Sequence, residues 1–340
     1  MALPLALSAI LGLLLAPASL VHRNCWTTAS LSCRRPGAVT ASMTRLDDDA
    51  QALLEEAGGD AEKARTSYIG YSLLYLQEEM PDLYDAIKTD PSRPDCHAVL
   101  VEVTFDAIAA FLPLTHTAMP DPATAQRLTA IARAAVPLDG SARLLDVGCG
   151  SGVLLPYAAA CGAPPADYRG IDLSNRMIEL AREAAGSSGA RFDDVGFDAA
   201  VAEGQTYESV VFHNSLQYFA NQAAALTSAA ALLEGESSRI VISHLAGAKA
   251  VRQERVDNPT TVLSEMPSLA ELQGLVAGLG LQVVLPSFFG SDSEQIQAGL
   301  DGFYLVILRR AGGDAAAEQA AVDRPFDALL DTIEASLPPL

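Results

Sequence analysis

Leu144-Leu145-Asp146-Val147-Gly148-Cys149-Gly150-Ser151-Gly152 is the stretch that decides the fold. Arg143 to Val147 reads as a buried strand, and Gly148 to Gly152 as a glycine-rich turn that opens a helix over Val153 to Ala160. Three glycines at alternate positions allow positive φ and let the backbone approach a ligand closely. Strand, turn and helix in that order are one step of a parallel sheet whose crossovers are helical.

Working outward, the alternation continues. Thr124 to Ala135 reads as a helix, Tyr168 to Ile171 as a second strand, and Asn175 to Ala185 as a helix that Ser174 can cap through its hydroxyl. A weak third strand lies around Ala190 to Phe197 and a clearer fourth at Ser209 to Phe212. Gln222 to Leu233 is helical, Arg239 to Ser243 is a fifth strand, and the helix Ser268 to Leu279 stops at Gly280. Leu281 to Leu285 and Phe303 to Leu308 are a final strand pair; their connection has no room for a crossover helix, so they should be antiparallel neighbours.

Upstream, Asp47 to about Pro120 is helical in pattern, with Ala50 to Ala57, Tyr68 to Leu76, Leu83 to Ile87 and Val99 to Phe111 carrying apolar residues on recurring faces. From Met1 to Leu46 there are four arginines and no acid, an apolar run from Leu5 to Leu20, and an Ala16-Pro17-Ala18 sequence like a small-residue cleavage site. The apolar run is short for a membrane span, and the segment reads as targeting sequence. Its signal-like and then transit-like layout resembles the presequences of plastid proteins in algae whose plastids lie inside the secretory system; plain secretion or a mitochondrial address are the alternatives.

The expected organisation is thus a presequence over 1–46, a helical cap and substrate subdomain over 47–120, a cofactor-binding domain over 121–310, and a peripheral acidic tail over 311–340 with a short helix at Phe326 to Ala335. Removing the presequence takes four of the 22 Lys and Arg and none of the 42 Asp and Glu, leaving a net charge of −24. Such a body repels phosphate backbones, which argues against a nucleic-acid partner. Cys96, Cys149 and Cys161 remain beyond the presequence, without the spacing of a disulfide framework or a structural zinc site.

An acid, one residue, then Gly-x-Gly-x-Gly resembles the first motif of the class I S-adenosylmethionine-dependent methyltransferases, and Asp146 to Gly152 has it complete. A dinucleotide fingerprint would instead require glycine at 153, where the chain has Val153, and would set Asp146 beside two phosphates. An acid there suits a ligand with an ammonium group. Gly170-Ile171-Asp172-Leu173-Ser174 is similar to the family's second element, with an acid 24 residues past Gly148 placed to accept both ribose hydroxyls.

The resemblance covers about Arg143 to Ser243. It implies a doubly wound, mostly parallel seven-stranded sheet with an antiparallel final strand, in the α/β class, behind the N-terminal helical subdomain. It also implies S-adenosylmethionine as cofactor, with Asp146, Gly148, Cys149, Gly150, Gly152, Asp172 and Leu173 around it. Asp198 is placed at the adenine end in preference to Asp194, because its distance to the fourth strand is the shorter, more usual connection; solvated loop charges are the other reading. Asn214 and Gln217 follow the fourth strand and are assigned to the cofactor, while His213, Tyr218 and, after the fifth strand, His244 are candidate catalytic groups near the sulfonium. A histidine could remove a proton from an alcohol or phenol acceptor, or both could simply hydrogen-bond to neighbouring backbone. His97 and His116 have no strand-end logic.

The expected activity is methyl transfer by in-line displacement to a small organic acceptor, with no metal and no stable membrane span. Substrate walls are expected from Tyr68 to Phe111 and Leu245 to Pro267. A non-catalytic cofactor-binding module and a nucleotide-dependent oxidoreductase are the alternatives.

Overall fold

The computed structural model describes residues 50–115, 120–136 and 143–310, and residue 322. The presequence, His116 and the helix expected at Phe326 to Ala335 lie outside the described residues. The chain divides into two compact units, one running to residue 116 and taking in Asp257–Thr260, the other holding the remainder.

The first unit is helical: α1 over residues 50–56, α2 (Ala61–Glu79), α3 (Pro81–Thr89) and α4 (Pro94–Thr115). Asp60 starts α2 by accepting from the backbone N–H of Glu62 and Lys63, and prolines begin α3 and α4 where a missing N–H costs nothing. Tyr68, Ile69, Leu73 and Leu76 of α2 bury against Leu100, Val103 and Phe111 of α4, with the Tyr68 and Phe111 rings edge to face. By length and composition, Pro94–Leu114 could cross a membrane. Most of its apolar window is packed inside the protein, and it carries the buried acids Glu102 and Asp106.

The second unit is built on a seven-stranded sheet of order β3-β2-β1-β4-β5-β7-β6. Its strands are β1 (Leu144–Val147), β2 (Tyr168–Asp172), β3 (Arg191–Asp194), β4 (Ser209–His213), β5 (Arg239–His244), β6 (Leu281–Val284) and β7 (Tyr304–Arg310). The first five are parallel, and β7 runs antiparallel between β5 and β6. Every residue of β1, β4 and β5 is buried, as central parallel strands covered on both faces require. The helices around the sheet are α5 (Pro122–Ala135), α6 (Leu155–Ala160), α7 (Asn175–Ala185), α8 (Phe197–Ala202), α9 (Gln222–Ala231), α10 (Gly247–Asp257), α11 (Leu269–Ala277) and α12 (Ser293–Gly302).

The doubly wound sheet with its antiparallel final strand is as the sequence pattern predicts; three details differ. The helix after the glycine turn begins at Leu155, because Gly150 and Gly152 both take positive φ and the chain must finish turning before helical bonds can start. The third strand ends at Asp194, and Phe197 opens α8 rather than closing the strand. The connection from β6 to β7 does hold a helix, the ten residues of α12, capped by Asp292; it returns the chain antiparallel rather than crossing the sheet.

Packing on the face behind β2 is tight at one glycine. A Cβ on Gly170 would stand 2.6 Å from the Phe192 ring and 2.7 Å from Cys149 Sγ. Gly170→Ala is therefore expected to cost about 2 kcal/mol, the usual scale of overpacking a filled core, measured as a lower urea midpoint at unchanged slope.

Candidate active site at the strand ends

The glycine turn is tied to β2 before any ligand arrives. The N–H groups of Gly148 and Cys149 both donate to Ile171 O, at 2.8 and 3.0 Å. Gly148 has φ +70, and a Cβ there would lie 2.6 Å from Ser215 Cβ, so glycine is needed for space as well as conformation. Gly150, at φ +53, has nothing within 4 Å of where a Cβ would be. Its N–H donates to Asp172 Oδ2 at 2.9 Å, and the N–H of Ser174 donates to Oδ1 at 2.9 Å. Ser174 also caps α7, its hydroxyl accepting from Met177 N–H. Asp172 is thus pinned at the carboxyl end of β2 with one backbone donor per oxygen, and a carboxylate retains further lone pairs for hydroxyl donors. Burial raises its pKa, while the N–H groups of Ser174, Gly150 and Leu173 pull the other way.

Asp146 is buried in β1. One oxygen accepts from the Tyr168 hydroxyl, and Oδ1 has no partner. Burial lifts this carboxyl to about 7; the Tyr168 bond lowers it and the charge of Asp172 raises it. Cys149 turns its sulfur into the core against Gly170, and burial pushes its thiol well up, so its side chain is not presented to a ligand. Leu173 leans toward Gly196, beyond the end of β3. Asp194 is exposed and aligned with Asp172 across β2 and β3, and Asp198 is exposed in the first turn of α8. Their neighbour Asp193 is held by Arg169 and Arg191.

At the ends of β4 and β5 the structure brings His213, Asn214, Gln217 and His244 into one neighbourhood. Among the described residues Asn214 is the one non-glycine with positive φ. Its side chain joins the two strands: Oδ1 accepts from Leu245 N–H at 2.9 Å, and Nδ2 donates to His213 Nε2 at 3.4 Å. His213 Nδ1 bonds Ser243 Oγ at 3.0 Å, so both of its ring nitrogens are engaged. His244 differs. Its Nδ1 has no partner, and its Nε2 lies 3.9 Å from Glu254 Oε2 on α10. Burial pushes His213 down to about 3, helped by His244, and His244 down to about 4, so both rings are neutral at physiological pH. Gln217 donates to Asn214 O and keeps Oε1 buried without a partner. The Tyr218 hydroxyl is held protonated by burial, with the charges of Glu254 and Asp172 adding to it.

Tyr168 and Glu254 were not legible as site residues. Signals existed for both: Tyr168 shares the strand face of Gly170 and Asp172, and Glu254 sits one helical turn past the buried Val251. His97 belongs to the helical unit, on α4. Among the described residues no three His, Cys, Asp or Glu side chains are grouped to hold a metal.

The acid-glycine turn, Asp172 and the ends of β4 and β5 lie at the carboxyl ends of the parallel strands, which is where doubly wound sheets hold their ligands. Residues 118–285 match the family model described as a methyltransferase domain. A ubiquinone biosynthesis O-methyltransferase of Sinorhizobium medicae (strain WSM419) is 37% identical over 87 residues, which are 25% of this chain. The chain spans only 34% of that relative's length. Among solved structures, an S-adenosylmethionine-dependent methyltransferase from Mesorhizobium loti aligns with 52% of this chain and 94% of its own at 19% identity and TM-score 0.39. The plantazolicin methyltransferase BpumL, solved with a monoazolic desmethylPZN analog and SAH, aligns with 81% of this chain and 99% of its own at 15% identity and TM-score 0.39. The chain carries a methyltransferase domain over residues 118–285, and the cofactor that the acid-glycine motif implies for it is S-adenosylmethionine. The donor set fits that group: an unpaired buried carboxylate oxygen for an ammonium, an open approach at Gly150, and a pinned carboxylate for a diol.

Because the Cys149 thiol is buried and its pKa raised, it should resist iodoacetamide at pH 8 in the native protein and react after denaturation, as read by peptide mass spectrometry.

Proposed function

We propose that the protein transfers a methyl group from S-adenosylmethionine to a small organic acceptor. The observation that carries this is the Asp172 carboxylate, held by Gly150 and Ser174 at the end of β2 beside an acid-glycine turn. Asp172 would take the ribose hydroxyls, Asp146 the amino-acid end, and Leu173 with Asp198 the adenine side. When bound, the cofactor supplies a methyl group activated by a sulfonium and open to in-line displacement. The chain's own task is alignment and exclusion of water, which suits the neutral, buried groups at the ends of β4 and β5.

For an acceptor that attacks through oxygen, His244 is the base. It is neutral, and its Nδ1 is unpaired, whereas the nitrogens of His213 are committed to Ser243 and Asn214. His213 then orients, and Tyr218 lines the same neighbourhood as a protonated hydroxyl. A small acceptor is favoured over nucleic acid by the acidic body, and the name of the Sinorhizobium relative supports an oxygen acceptor. The acid-poor leader supports delivery to a plastid.

Calorimetric titration tests the cofactor assignment. S-adenosylmethionine should bind and NAD should not, and Asp172→Ala should weaken S-adenosylmethionine about thirtyfold, the loss of hydrogen bonds to a charged acceptor. Tight binding of NAD alone, or unchanged affinity in the variant, would remove Asp172 from the site. Cofactor binding without turnover of any acceptor would favour a non-catalytic module.

A further inference from the structure

Asp146 and Tyr168 share one face of the sheet. Asp146 stands opposite Gly170 in the register of β1 with β2, and Tyr168 precedes Gly170 by two residues. Each is 1% exposed. The tyrosine hydroxyl donates to Asp146 Oδ2 and its ring packs on Phe192 at 5.8 Å, so the phenol is fixed at both ends. Oδ1 of Asp146 is left buried with no partner.

Among the described residues, the groups that face Asp146 are few. From β2 come Tyr168 and Asp172, from the glycine turn the buried thiol of Cys149, and from β4 the apolar Val211 in register. None is a cation. A carboxylate in that setting has an unmet demand for positive charge, and the group that could meet it is a ligand's ammonium.

We propose that Tyr168 is a positioning residue of the cofactor site: by holding Oδ2 it presents the unpaired Oδ1 of Asp146 to the ammonium of the cofactor's amino-acid end, and binding expels a proton from Asp146. This rests on the methyltransferase function proposed above. Without ligand the carboxyl keeps its proton to about pH 7. An arriving ammonium favours the ionised form, so affinity falls as pH drops below that value. His213 and His244 titrate much lower, at about 3 and 4, and do not mask the effect.

The test is titration of the full chain with S-adenosylhomocysteine, in pairs of buffers of different ionisation enthalpy. Wild type should release about one proton per ligand at pH 6 and almost none at pH 8, with affinity about tenfold weaker at the lower pH. Tyr168→Phe leaves both oxygens unpaired and should move the midpoint upward. Its affinity should be roughly fivefold below wild type at pH 7 and within about twofold by pH 8.5. Asp146→Asn should bind with no proton exchange across this range. Proton-free binding by wild type, or a Tyr168→Phe loss that is equal at every pH, would overturn the proposal. If Tyr168→Phe fails to fold, the proton counts of wild type and Asp146→Asn decide. Wild type that binds no S-adenosylhomocysteine at any pH would instead bring down the methyltransferase function itself.

Discussion

The carboxylate of Asp172, gripped by the N–H groups of Gly150 and Ser174, is the interaction on which the rest of the site depends. It fastens the turn after β1 to the helix after β2, and so fixes the distance between the two places where a ligand would be held. The same turn is tied a second time through Ile171 O. Two strands, a turn and a helix N-terminus are thereby locked before binding, and little ordering entropy remains to oppose it. The glycines serve this purpose differently: Gly148 makes room for Ser215, Gly152 packs near Phe192, and Gly150 leaves its side open.

The acids and histidines of the site are tuned by burial rather than by counter-charges. Asp146 and Asp172 are raised and the two histidines lowered, all with desolvation as the main cause. Burial of this kind disfavours the charged form of each group, raising the acids and lowering the imidazoles. Arg169 shows the contrast: buried equally well, it is surrounded by Asp193, Glu203 and Tyr207, and belongs to the scaffold at the other end of β2.

Much of the fold was legible because the acid-glycine turn, the Ser174 cap and the apolar strands each leave a local signature in the chain. What was not legible was partly local, where backbone turning or a polar cap leaves an ambiguous signature, and partly set by contacts distant in sequence. The start of α6 is set by the positive φ of Gly152, and α12 hides in a polar connection whose cap, Asp292, resembles any loop acid. Asn214 looked like a pocket amide after a strand, yet its side chain bridges β4 and β5. Tyr168 and Glu254 acquire meaning only once the register of β2 with β1 and the approach of α10 to His244 are known. The two histidines were indistinguishable in sequence; hydrogen bonding separates the engaged His213 from the open His244.

A crystal structure of the protein with S-adenosylhomocysteine tests the central claim most directly. The ribose hydroxyls should lie within hydrogen-bond reach of the Asp172 carboxylate, with the amino-acid end along Gly148 to Gly152 and its ammonium toward Asp146. A nucleoside seated elsewhere, with Asp172 still bonded only to Gly150 and Ser174, would contradict it.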